Sequence, residues 1–377
     1  MITHRERVRL SLNHQEADRV PFDLGGGVAG MTVVPYQRLK QYLGIPGEVG
    51  NYNRDWLIMT DYDEALLKTF DIDTRRIYLG APKNWTRQFN PDGTWRDILG
   101  ILRKPASFYI EMVDNPLRGA SLEDIDKYPW PDYTDPGLYE GLEEKVEHLY
   151  FNTDYALVGP VVAGGIFETA MWLRGAENFL VDLLQDKPFA RKLLTKLLEI
   201  HTGYLERYLD IVGPYIDIME YNDDFGTQRG LLISPSLYRE MIKPLHKELV
   251  ELIKSKTNAK VFQHTCGSVY DLVGDLIDIG VDVLNPVQPR AAGNDSFRLK
   301  REFGDRLVFH GGVDVQDVMP RGTVEDVAQE VRTRLQAFAP GGGYIFAAAH
   351  NIQADVPPEN MVAMFKAANN WGRYPIL

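Results

Sequence analysis

Beyond Asp154 the chain alternates regularly between short apolar runs and longer amphipathic ones, and this pattern most narrows its choice of fold. The apolar runs are residues 156–158, 216–219, 260–262, 281–284, 307–309 and 344–348, with helical patterns such as 188–209, 236–255 and 323–338 between them. Apolar runs this short, set between helices, suit strands covered on both faces of a parallel sheet. Two earlier strand candidates, VPFDL from Val20 and RRIYL from Arg75, bring the number to eight. The pattern therefore predicts an α/β fold, a parallel (β/α)8 TIM barrel, with an open doubly wound sheet as the alternative.

The amino-terminal part is less regular. Residues 3–13, 35–43 and 63–70 read as helices around the first two strands. From Trp85 to Met112 aromatic and β-branched runs flank the turn Asn90-Pro91-Asp92-Gly93, which predicts a small antiparallel hairpin or sheet inserted into the barrel. Residues 116–137 carry Pro129, Pro131 and Pro136 among acidic residues and read as a surface connector. The expected organisation is one barrel domain over residues 1–377, with 85–137 as insertion and connector.

A formal charge of -12 argues against nucleic acid or an anionic membrane as a partner. There is neither a leader-like amino terminus nor a run of about 18 apolar residues, so a cytoplasmic protein is expected. Gly25, Gly26 and Gly27 lack the Lys-Ser/Thr of a phosphate loop. Cys266 is the sole cysteine, which excludes an internal disulfide and leaves a buried thiol, a reactive thiol or a metal ligand.

In a barrel, chemistry collects at the carboxyl ends of the strands. Here those ends carry Glu220, Asn222, Asp223 and Asp224, then His264 and Cys266, then Asn285, His310 and His350. On extended chain His264 and Cys266 point to the same side, and an imidazole with a thiolate suits zinc. Two ligands cannot hold the ion, so a third comes from His350, His310 or Glu220. Packing alone would also account for an isolated His-x-Cys. The carboxylates Glu220, Asp223 and Asp224 are candidate acids, bases or helix caps, and Asn222, Asn285 and His310 are candidate substrate-binding groups.

The spans YIDIMEYNDDFG, LLISPSLYREMIKP, VFQHTCGSV, VDVLNPVQ, FHGGVD and AAAHNIQADVPPENM together resemble the uroporphyrinogen decarboxylase superfamily, as does RERVRLSLNHQEADRVPF at the amino terminus. The resemblance implies a (β/α)8 barrel. It also implies one of two activities, porphyrinogen decarboxylation or zinc-dependent methyl transfer to or from a corrinoid. The decarboxylases carry an arginine-rich stretch after the first strand, whereas residues 20–37 contain no arginine, and RRIYLGAP lacks their carboxylate. The methyltransferases carry His-x-Cys, matched by His264 and Cys266, and a late cysteine, where this chain has His350. The resemblance thus favours a zinc methyltransferase with His264, Cys266 and His350 as ligands, methylcobalamin or a corrinoid protein as methyl partner, and a homodimer. A metal-free lyase using His350 and the Asp223 region, and a non-catalytic binding protein, are the alternatives.

Overall fold

The computed structural model describes residues 2–162 and 164–376. Seven parallel strands form one curled sheet in the order Tyr344–Ala348, Val308–Val313, Val283–Asn285, Lys260–His264, Ile218–Asn222, Ala156–Gly159 and Thr74–Arg76. Residues 20–24 occupy the gap between the two edge strands. Phe346 N–H donates to Pro21 O at 2.9 Å, Asp23 N–H to Phe346 O at 2.9 Å, and Asp73 N–H to Phe22 O at 2.9 Å. This closes the expected barrel, although the first stave makes only an isolated bridge, Phe22 with Phe346.

Period-two alternation sorts each strand into an outer and an inner set. Outward residues such as Leu157, Met219, Val261, Leu284 and Phe309 join the large core beneath the helices. Inward residues Val158, Ile218, Phe262, Val283, Val308 and Ile345 form a separate apolar layer inside the barrel, together with Val8 and Leu12. These last two belong to the helix His4–Leu12, which opens with a Thr3/Glu6 capping box and plugs the barrel from below. Ser11 seats it on the last strand by donating to Tyr344 O at 2.7 Å.

The plug is fixed by one buried carboxylate. Asp73 accepts from Arg7 Nη1 at 2.5 Å, Arg19 Nη1 at 2.7 Å and Phe22 N–H at 2.6 Å, with His4 Nδ1 at 2.7 Å. Burial opposes its charge, but His4, Arg19 and Arg7 outweigh burial and hold the carboxyl below its ordinary value of 3.8. A depressed folded pKa contributes stability above the unfolded value and loses it as pH falls through the folded one. Asp73→Asn is therefore expected to cost about 2 kcal/mol at pH 7. The gap between wild type and variant in urea midpoint should narrow below about pH 4, the unfolded Asp value.

Two elements differ from the sequence expectation, and the expected inserted sheet gains detail. The helical pattern at 236–255 is two helices, Pro235–Met241 and Lys243–Lys256. Pro244 lacks an N–H and its ring opposes the carbonyl four residues back, so the first helix stops there. The segment after Trp85 is a three-stranded antiparallel sheet of Trp95–Arg96, Leu102–Ala106 and Tyr109–Met112. Its Asn90–Gly93 turn closes only an isolated bridge between Phe89 and Trp95. A further two-stranded ribbon, Tyr52–Asn53 with Ile58–Met59, carries no alternation long enough to announce it. Among the described residues no helix is long and apolar enough to cross a membrane.

Candidate metal centre

The sheet register assembles the site. Asn222 pairs with His264, and His264 with Asn285, so these three residues stand in one row across neighbouring strand ends. Two residues earlier, the same inward face is apolar. Ile218 gives way to Glu220, Phe262 to His264, Val283 to Asn285, and Val308 to His310. The barrel interior thus changes from hydrocarbon to polar groups within one side-chain layer.

Past the strand ends, His264 and Cys266 meet His350 from the loop after Tyr344–Ala348, with their ligand atoms all within 4.8 Å of one another. Cys266 Sγ lies 3.3 Å from His264 Nε2, and the rings of His264 and His350 meet edge to face at 5.5 Å. The loops that bring them together cross closely. A Cβ on Gly267, which has φ +80°, would come within 2.5 Å of the Gly226 backbone, so only glycine fits. The Cys266 N–H donates to Asp224 Oδ1 at 2.7 Å, and Asn351 ties the His350 loop to the segment after the first stave by accepting from Gly30 N–H at 2.8 Å.

The donor set suits a borderline-soft dication. Burial, and then the neighbouring His264, lower the His350 pKa to about 4, which leaves its imidazole neutral, the form that ligates. Burial, with Asp224 and Glu168 nearby, pushes the Cys266 thiol well above its ordinary range, so only a cation at this place would make it a thiolate. Asp224 Oδ1 is 3.6 Å from His264 Nε2. Neither Asp224 nor Glu168 has a Lys or Arg partner among the described residues.

The other candidates are distributed differently. Glu220 points into the barrel and shares Arg76 with Asp23. Arg76 Nη2 is 2.7 Å from Glu220 Oε1 and 2.7 Å from Asp23 Oδ2, and Nη1 is 2.8 Å from Asp23 Oδ1. Burial raises the Glu220 pKa despite Arg76. At Asp23 burial is outweighed by Arg76 and then His310, which hold the carboxyl far below its usual range. Asp223 is enclosed behind the strand, where it accepts from Phe167 N–H at 2.9 Å and Glu168 N–H at 2.7 Å and sits 3.0 Å from His246 Nε2. It thereby satisfies the orphan donors at the start of the helix Ile166–Arg174, away from the triad. Asn222 Nδ2 reaches Glu168 Oε2 at 3.3 Å. Asn285 stands beside His264 in the same row, and His310 on the next strand continues this buried polar layer.

Sequence reasoning passed over Glu168, Asp23 and Arg76. Burial, followed by the charges of Asp224 and Asp223, drives the Glu168 pKa well up. Asp23 interrupts the apolar run VPFDL and Arg76 opens the strand candidate RRIYL, and a charge inside a strand of a covered sheet is the available signal. Gly25 and Gly26 border this pair. A Cβ on Gly26 would stand 2.5 Å from Arg76 Nε.

Fold and site define a (β/α)8 barrel with a His-Cys-His cluster at its carboxyl-terminal mouth. The sequence matches the model of the family Uroporphyrinogen decarboxylase (URO-D) over residues 111–371, and the chain belongs to that family. Among curated relatives, the uroporphyrinogen decarboxylase of Magnetococcus marinus is 24% identical over 243 residues, covering 62% of this chain and 62% of that protein. The uroporphyrinogen decarboxylase of Pseudoalteromonas atlantica is 33% identical over 190 residues, covering 48% of this chain and 47% of that protein. The chain thus spans less than two thirds of the length of these relatives. Among solved structures, a methyltransferase from Methanosarcina mazei superposes with a TM-score of 0.68 at 18% identity, covering 98% of this chain and 99% of that one, which shows a shared fold.

Proposed function

We propose that this protein is a zinc-dependent methyltransferase that moves a methyl group between a small molecule and a corrinoid, free or carried by a partner protein. The convergence of His264, Cys266 and His350 ligand atoms within 4.8 Å carries this reading. Those three side chains would hold the ion and leave a position open to substrate. Zinc bound there would supply Lewis acidity toward the substrate's polar atom, more strongly with one thiolate than with two.

The chain's own groups divide the remaining work. Asp224, fixed on the Cys266 N–H at 2.7 Å, and Glu168, held by Asn222, are the carboxyl groups beside the triad that can move a proton at that atom. This role passes to them because Glu220 is committed to Arg76 and Asp223 to the Ile166–Arg174 helix. A homodimer in the cytoplasm is part of the proposal. A second reading, a metal-free lyase of the decarboxylase kind, is favoured by the names of the curated relatives.

Elemental analysis of protein purified without an affinity tag separates the two. Zinc-dependent chemistry predicts about one zinc per chain, the stoichiometry of a single three-ligand site. No zinc, even after the ion is supplied, would leave the lyase standing.

A further inference from the structure

From the His-Cys-His cluster an unbroken file of buried side chains crosses the barrel: His264, Asn285, His310, Asp23, Arg76 and Glu220. They come from six different staves, and the contacts have a direction. Arg76 and Thr74 donate to Asp23, so its carboxylate is fixed as an acceptor. His310 Nε2 lies 2.8 Å from Asp23 Oδ2 and must therefore carry a proton. In a neutral ring that leaves His310 Nδ1 as an acceptor, and Asn285 Nδ2 stands 2.8 Å from it. With its amide nitrogen used there, Asn285 presents Oδ1 to His264 Nδ1. With that neutral ring, the reversed amide would require His310 to turn a lone pair toward Asp23.

We propose that Asn285 is a positioning residue for the metal centre: backed by His310 and Asp23, it holds the His264 proton on Nδ1, so that Nε2 turns its lone pair toward Cys266 and His350. The inference rests on the zinc reading for its purpose, but not for its geometry. Ligating imidazoles generally donate their second N–H to a fixed acceptor, which sets both ring orientation and tautomer. Here the acceptor is itself oriented by a carboxylate two side chains further along. Asn285 and His310 thereby act from beside the site, where the sequence suggested contact with substrate.

The test is a long-range proton–nitrogen correlation spectrum of histidine-labelled, metal-free protein at pH 8, paired with zinc affinity from chelator competition. Wild type is expected to show His264 protonated on Nδ1. Asn285→Leu removes the acceptor, and should release the tautomer and weaken zinc binding about 10–100-fold. Asn285→Asp keeps an acceptor and should keep the Nδ1–H tautomer. Wild-type His264 protonated on Nε2 would overturn the proposal, as would folded Asn285→Leu protein with unchanged tautomer and zinc affinity. If Asn285→Leu does not fold, the wild-type and Asn285→Asp spectra decide. Wild type that binds no zinc but shows the expected tautomer would refute the zinc reading and leave the relay supported.

Discussion

Arg76→Leu is expected to destabilise the protein by about 3–5 kcal/mol, the range for removing one partner from a buried ion pair. The guanidinium is the cation between Asp23 and Glu220, both buried, and it reaches each of them within 2.7 Å. Its loss would leave two carboxylates facing each other inside the barrel. Glu220 can escape by taking up a proton, since burial already raises its pKa. A raised folded pKa means that the folded state holds more protons than the unfolded one, so stability falls as pH rises. The urea midpoint of the variant should therefore drop further below wild type at pH 8 than at pH 5. Equal stability of the two proteins at pH 8 would contradict the pairing.

The second large effect concerns the triad. The four ligands of a structural zinc site together contribute roughly 10–16 kcal/mol, so each carries about 2.5–4 kcal/mol. Cys266→Ala and His264→Ala should each weaken zinc binding by roughly 10²- to 10³-fold, since about 1.4 kcal/mol is a factor of ten. His350→Ala belongs to the same series. Thermal stability of the metal-free protein should change little for Cys266→Ala, because Cys266 is only partly buried and its Sγ meets polar site groups, His264 Nε2 and Asp224. A Cys266→Ala protein that retains full zinc affinity would remove the residue from the ligand set.

Much of this architecture was legible because the physics that builds it is local. Apolar runs of strand length between amphipathic helices require a covered parallel sheet, and the structure places strands at all seven of the later and second-strand runs. His264 and Cys266 stood out for the same reason, since extended chain puts alternate side chains on one side. The helix break at Ile242 was legible too, in Pro244, but the apolar period runs through it and hid it. What stayed hidden depends on long-range closure. Arg76, Asp23 and Glu220 are far apart in sequence, and their pairing follows from barrel geometry. Nothing in the local sequence marks Glu168 as a neighbour of Asp224, because it sits in the first turn of the helix Ile166–Arg174, whose seating on Asp223 brings it there. The roles of Asp223 and Asp224 diverge for the same reason. Adjacent residues at a strand end face opposite ways, and one meets a helix while the other meets the triad.

The most direct measurement is methyl transfer itself, followed by the absorbance of the corrinoid. Zinc-loaded protein is mixed with methylcobalamin and a panel of thiols, or with cob(I)alamin and a panel of methyl ethers. In the first direction a thiol and methyl-cobalt(III) yield thioether, cobalt(I) and a proton. In the second an ether, cobalt(I) and a proton yield alcohol and methyl-cobalt(III). Zinc-dependent methyl transfer predicts conversion in one direction that stops when a chelator removes the metal and returns when zinc is restored. Conversion that is indifferent to the chelator and to Cys266→Ala, or release of carbon dioxide from a carboxylated tetrapyrrole by metal-free protein, would contradict it.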